Sequence, residues 1–311
     1  MNMVRYYVKK SFNEELQQVE ALPTEHAWIY GHEVSDIELQ RIADEAQFDI
    51  NILRDVRDVH ELPRLEYSKG VTYVFMRIPR ALKNGTTVSA PLLFAIKGTV
   101  LASFSSVKYF TPEDLAAKHA FSMRSTSSVF LQALMHIFSE YGHDIQNTTA
   151  YIYSAQQRLR KRAITNKDFV KFVTIESMLG EHHTNLAASK AVLDRLSENK
   201  HNTLTEKEIE FLEDIILYVN QLMVAVQSDT RTIESIRSTF STMSDNALNQ
   251  RMKTLTLLTL FLTVPNVVYG MFGMNVHLPV DTENPWVFGA ITLGSLGLII
   301  LGYFMVRKYK F

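Results

Sequence analysis

Two long uncharged stretches dominate the pattern of the chain, and both lie near its C-terminal end. From Thr254 to Val280, 27 residues, no Asp, Glu, Lys or Arg occurs; after Asp281 and Glu283 a second such stretch runs from Asn284 to Val306, 23 residues. Each exceeds the ~20 residues with which a helix crosses the hydrocarbon core of a bilayer. Two membrane spans are therefore predicted, at about 254–272 and 286–306. A buried helical hairpin would leave unexplained why both stretches sit together.

The first 110 residues read differently. Runs rich in β-branched and aromatic residues predict strands over 27–31, 64–67, 71–78, 88–97 and 99–105, with Asn84-Gly85 as a hairpin turn between two of them. Short helices are predicted over 36–47 and 50–59. From Thr111 onward Gly and Pro nearly vanish. Thr111-Pro112-Glu113 is a helix start, with Thr as cap and Pro in the first turn. Helices follow near 111–123, 127–162 and 166–199, with a break at 199–205. Thr205 and Glu208 have capping-box spacing, and no Pro occurs from there to Pro265. A helix over 206–272 would be ~100 Å long at 1.5 Å per residue. That length predicts a stalk running into the membrane.

Two stripes of period 3.5 run along this helix. One is apolar: Leu212, Ile215, Val219, Leu222, Val226, then Asp229, then Ile233, Ile236, Phe240, Met243 and Ala247. Its steps alternate 3 and 4, the spacing of a coiled-coil-like packing seam. Asp229, its one polar member, either sets register or marks where the seam splays; a metal ligand is the lesser alternative.

The second stripe is Ser235, Ser238, Thr242, Asp245, Asn249, Met252, Thr256, Thr259, Thr263, Asn266, Gly270 and Gly273. It is hydroxyl, amide or glycine nearly throughout and continues into the first span. A lipid-facing stripe has no reason to be polar, because buried amides need partners in hydrocarbon. It is either a helix–helix contact of small residues or the wall of a water-filled pore built from one stripe per subunit. Asn249 and Asn266 are large for close approach, which favours the pore. Such a wall offers neutral oxygens without His or Cys, and within the span no carboxylate. Zn2+ or Cu2+ would want His or Cys, whereas Mg2+ releases its waters reluctantly and suits contact through its hydration shell.

The flanks orient the spans. Arg251 and Lys253 precede the first, and Arg307, Lys308 and Lys310 follow the second; the loop 276–285 holds Asp281 and Glu283 and no Lys or Arg. Both termini are therefore expected in the cytoplasm, with the loop outside. MNMVRYYVKKS lacks the apolar core of a signal peptide. A net charge of −1 argues against nucleic-acid binding, and with no Cys there are no disulfides, thiolate metal sites or cysteine nucleophiles. No Gly-rich phosphate loop or nucleophile–base arrangement is found, so no enzymatic activity or cofactor is expected. Glu181-His182-His183 is read as a solvated helix face, since adjacent helical residues point ~100° apart.

At the outer end of the first span stands Tyr269-Gly270-Met271-Phe272-Gly273-Met274-Asn275. Gly-Met-Asn after a very long helix, followed by a short acidic loop and a second span ending in a basic tail, resembles the CorA family of magnesium channels. The run Glu61-Leu62-Pro63-Arg64-Leu65-Glu66 before a Tyr/Val/Phe strand is similar to that family's cytoplasmic domain. The resemblance implies a funnel-shaped homopentamer in the cell membrane, its partners being its own copies, the bilayer and Mg2+. It implies an α/β cytoplasmic domain (1–110), a helical region (111–203), a stalk helix (204–253), a pore helix (254–275), an outer loop (276–285), a second span (286–306) and a basic tail (307–311). It implies uptake of hydrated Mg2+, with Co2+ or Ni2+ as further cargo. Asn275 takes the role of entrance selectivity residue, contacting the ion's water shell, with Gly273 and Met274 at the tight helix end. Asn249, Met252 and Leu255 fall at the inner constriction, the choice between Leu255 and Thr256 staying open. Asp281 and Glu283 attract cations. Arg307, Lys308 and Lys310 correspond to a basic belt or to a plain membrane anchor.

The resemblance also implies Mg2+ as a regulator, bound between stalk acids and a neighbour's N-terminal domain. Glu213 and Asp214 fit the stalk side. From Tyr67 to Pro112, however, there is no acid, so the partner side departs from the pattern. The zinc-transporting branch of the superfamily and a non-conducting coiled-coil scaffold are the alternatives.

Overall fold

The computed structural model describes residues 3–9, 14–23, 26–81, 87–118, 121–161, 165–200, 204–274 and 285–308. Seven strands form one sheet: β1 (Met3–Val8), β2 (Gln17–Val19), β3 (Ala27–His32), β4 (Arg64–Ser68), β5 (Val71–Ala81), β6 (Thr87–Lys97) and β7 (Val100–Ser105), in the order β2-β1-β3-β7-β6-β5-β4. β3 and β7 pair in parallel, Ala27 opposite Val100, and every other pair is antiparallel. The five expected strands are present. β1 and β2 are additional: Met3–Val8 is a β-branched and aromatic run, and pairing with β3 buries Tyr6 and Tyr7. The Asn84-Gly85 turn lies outside the described residues.

The sheet is covered on both faces, which is why its inner strands read as nearly continuous apolar runs. Ile29, Tyr73, Phe75, Leu93, Ala95, Ala102 and Phe104 point to a core shared with Leu39, Ile42, Phe48, Ile52 and Leu53 of α1 (Asp36–Ala46) and α2 (Ile50–Asp55) and their flanks. The alternate residues pack the other way: Phe94 lies edge-on to Phe130 at 5.2 Å, and Trp28 donates from Nε1 to Ser103 Oγ at 2.8 Å. α1 starts on a capping box made by Ser35 and Glu38. α2 is shorter than the expected 50–59 because Arg57 N–H and Asp58 N–H bond to Arg54 O and Asp55 O in tighter turns.

The second face is built by helices. α3 (Pro112–Lys118) starts where Thr111 Oγ1 accepts from Asp114 N–H, and α4 (Thr126–Arg160) and α5 (Asn166–Ser197) follow. The break after α5 is clamped by Asn199, which has φ +45°; its amide donates to Leu204 O and accepts from Leu204 N–H. α6 (Glu206–Phe272) is one helix of 67 residues, opened by Thr205 and Glu208 as the capping spacing predicts. α7 (Pro285–Lys308) is the last.

The chain divides into two compact units, 1–237 and 238–311, with the division inside α6. In the first unit the apolar stripe is buried from Leu212 to Ile236, Asp229 included. One expectation is corrected there. Glu181 and His182 are not a solvated face: His182 is 1% exposed and its Nε2 lies 2.8 Å from Asp144 Oδ2, while Glu181 accepts from the Ser89 N–H and hydroxyl. α5 turns this part of its surface toward α4 and the Ser89 end of β6. Two adjacent residues can both be engaged because two different elements receive them.

Candidate pore helix

In the second unit α6 and α7 meet through a narrow apolar face. Tyr269 stacks on Phe288 at 6.5 Å and its hydroxyl lies 3.4 Å from Thr292 Oγ1. A Cβ at Gly302 would meet Phe261 at 3.6 Å. Leu257, Phe261, Val264, Pro265 and Val268 are the half-covered positions of α6 within this segment. Sequence periodicity did not single these contacts out, although Tyr269 opposite Thr292 was there to read as a polar pair within apolar helices.

Thr259, Thr263, Asn266 and Gly270 lie about 160° round the axis from Phe261, Val264 and Val268. All four are exposed. The threonines turn their hydroxyl protons inward: Thr256 Oγ1 donates to Met252 O at 2.9 Å, Thr259 Oγ1 to Leu255 O at 2.9 Å, and Thr263 Oγ1 to Thr259 O at 2.8 Å. Each hydroxyl proton is thus used within the helix, leaving the oxygen lone pairs for an outside donor. A wall of such oxygens can accept from the waters of a hydrated cation. Lower on the helix, Asn249, Met252 and Thr256 line a groove of about 750 Å³ with Asn246, Gln250, Lys253 and Leu257. Leu255 and Thr256 are both exposed on the single chain.

The helix ends where the motif begins. Gly273 N–H donates to Tyr269 O and Gly270 O, both at 3.1 Å, and Met274 N–H to Met271 O at 3.4 Å. Asn275, Asp281, Glu283 and Lys310 lie outside the described residues. Arg307 and Lys308 occupy the last positions of α7. Glu213 and Asp214 are adjacent and exposed on the first-unit part of α6; among the described residues no group of three or more His, Asp or Glu is disposed to hold a metal.

The C-terminal part of α6 and residues Trp286–Phe304 of α7 are each long and apolar enough to cross a membrane, and neither is buried within the protein. An α/β domain followed by a helix of this length and an apolar second helix is the build of a two-span membrane protein. The chain belongs to the family described as CorA-like Mg2+ transporter protein, whose model matches residues 24–308. It is 22% identical over 290 residues to the cobalt/magnesium transport protein CorA of Methanocaldococcus jannaschii, covering 90% of each chain. The complete structure of the CorA magnesium transporter from that organism superposes with a TM-score of 0.87 at 20% identity, covering 98% of this chain and 97% of the other. The full-length CmaX protein is also similar, with a TM-score of 0.78 at 15% identity and 98% of both chains covered. The cytoplasmic domain of ZntB from Vibrio parahaemolyticus gives 0.64 at 8% identity, covering 79% of this chain and all of that one.

Proposed function

We propose that this protein carries hydrated Mg2+ across the cell membrane through a pore lined by α6, one helix from each subunit of a homopentamer, with both termini in the cytoplasm. The observation that carries the reading is the position of the polar stripe. It lies on the far side of α6 from Phe261, which meets α7 at Gly302, and its threonine oxygens are left with free lone pairs. Asn275 is the entrance residue, where an amide oxygen accepts from the ion's first water shell, and Gly273 and Met274 end the helix beneath it. Asn249, Met252, Thr256, Thr259, Thr263, Asn266 and Gly270 continue the path inward. Leu255 is the apolar ring that closes the inner end by dewetting. Asp281 and Glu283 raise the cation concentration at the mouth, and Arg307, Lys308 and Lys310 mark the inner boundary. Regulation by intracellular Mg2+ would draw on Glu213 and Asp214, with partner carboxylates from outside the segment 67–112, which holds none.

Transport of Zn2+ is the second reading; the likeness to the ZntB cytoplasmic domain, at 8% identity, is one of fold. The stripe argues for Mg2+: it carries no His or Cys, the ligands a dehydrated Zn2+ would seek. Uptake into proteoliposomes, compared for Mg2+ and Zn2+ with and without a pH gradient, decides. The proposal expects Mg2+ flux indifferent to the gradient; Zn2+ flux driven by the gradient would support the second reading, and no flux of either ion would reduce the protein to a scaffold.

A further inference from the structure

The buried seam of α6 is interrupted by one polar side chain. Asp229 is 5% exposed and lies between Val226 and Ile233. Its Oδ2 is 2.6 Å from Thr149 Oγ1 on α4, and that same hydroxyl oxygen is 2.9 Å from Ile145 O, one turn back on α4. A threonine hydroxyl has one proton to donate, and a carbonyl oxygen can only accept. With Asp229 ionised, its Oδ2 and Ile145 O compete for that one proton; a protonated Asp229 ends the competition by bringing a second. The carboxyl then donates to Thr149 and Thr149 donates to Ile145. An ionised Asp229 would instead be a buried carboxylate supported by a single neutral donor, an expensive arrangement at low dielectric.

Among the described residues, the surroundings supply no counter-charge. On α4, Asp144 is taken by His182, Tyr151 donates to Asp168, and His143 and Tyr153 make no bond to Asp229. On α5, Glu176 pairs with Arg237, Glu181 holds Ser89, and His183 lies against Gln227. On α6 itself, Arg231 and Glu234 are exposed. Burial, opposed only by the Thr149 hydrogen bond, pushes the Asp229 carboxyl above the ordinary range. Asp36, Asp114, Asp144, Asp168 and Glu198 are all held below it.

We propose that Asp229 and Thr149 form a proton-binding site in the α4–α6 seam, in which the neutral acid locks the helices in register and loss of the proton loosens them. The site is independent of which ion the pore carries. Its effect on stability has a definite sign. A folded-state pKa above the unfolded one stabilises the seam in acid, and that stabilisation is lost as pH rises from about 4 through the raised value.

Asp229→Asn keeps the shape, stays neutral and can donate from Nδ2 at every pH. Thermal unfolding of the full-length protein in detergent should therefore show the variant gaining on the wild type by several degrees as pH rises from about 4 to 7. A difference that is flat, or that shrinks with rising pH, would overturn the proposal. Infrared titration of the wild type gives a second measurement that needs no variant to fold. A carboxylic C=O band should persist above the pH at which exposed carboxyls ionise, and Thr149→Val should move it. Loss of every such band together with the exposed carboxyls would also overturn it.

Discussion

Asp168 begins α5 and shows how much one carboxylate can hold. It accepts from the Thr165 N–H and hydroxyl at 2.9 Å, from Arg158 at 2.6 Å and from Tyr151 at 3.1 Å. The Thr165 N–H first, then the Thr165 hydroxyl and Arg158, hold its pKa down to about 2. A folded pKa below the unfolded one adds stability above about pH 4 that is lost as the pH falls toward 2. Asp168→Asn should accordingly flatten the acid limb of the unfolding curve and lower stability at neutral pH, measured by thermal melts across that range. Asn275 carries a prediction of another kind. Asn275→Ala should abolish Mg2+ uptake while the protein still assembles, because a methyl cannot accept from the ion's water shell; wild-type flux from an assembled variant would remove Asn275 from the entrance. Single residues were unevenly legible in the sequence. Thr205 with Glu208 announced its cap by spacing alone, whereas the burial of His182 depends on Asp144, 38 positions away, and no local pattern reveals it.

Elements were read better than residues, because period 3.5 survives over a long helix where a single contact leaves no trace. The apolar stripe of α6 is buried at each of its positions from Leu212 to Ile236. Strands β3 to β7 followed from their β-branched and aromatic runs. β2 has only three residues, Gln17–Val19, two of them polar, and pairs with β1 at the sheet's edge, so nothing in its composition marks it. The polar stripe was legible as a stripe, but not what it faces, since a period fixes a side of a helix and leaves the partner open. The contact of Phe261 with α7 lies on the far side of α6 from that stripe. If the inner closure is an apolar ring, Leu255→Ser should make it easier to wet and raise basal conductance, read as ion leak at rest. Unchanged leak would assign closure to another level of the helix.

For the whole molecule, the family supplies the transport class, and the proposed role of the loop acids concerns the supply of ions. Asp281 and Glu283, in a loop without Lys or Arg, should act on cations at a distance rather than as rigid ligands, and such charges are screened over ~8 Å at physiological salt. Replacing both with amides should weaken apparent Mg2+ affinity at low ionic strength and matter progressively less as salt rises; a salt-independent effect would mean a direct binding site. In the proposed mechanism hydrated cations pass along the polar face of α6. The absence of native cysteine permits a direct test: single cysteines at Thr259, Thr263 and Asn266, and at Leu258 and Phe261 on the other side, each reconstituted in proteoliposomes and treated with a small cationic thiol reagent during Mg2+ uptake. Passage along the polar face predicts fast labelling and block at Thr263→Cys and its two stripe neighbours, with slow labelling and continued flux at Leu258→Cys and Phe261→Cys. Equal labelling on all sides, or block only at positions 258 and 261, would contradict it.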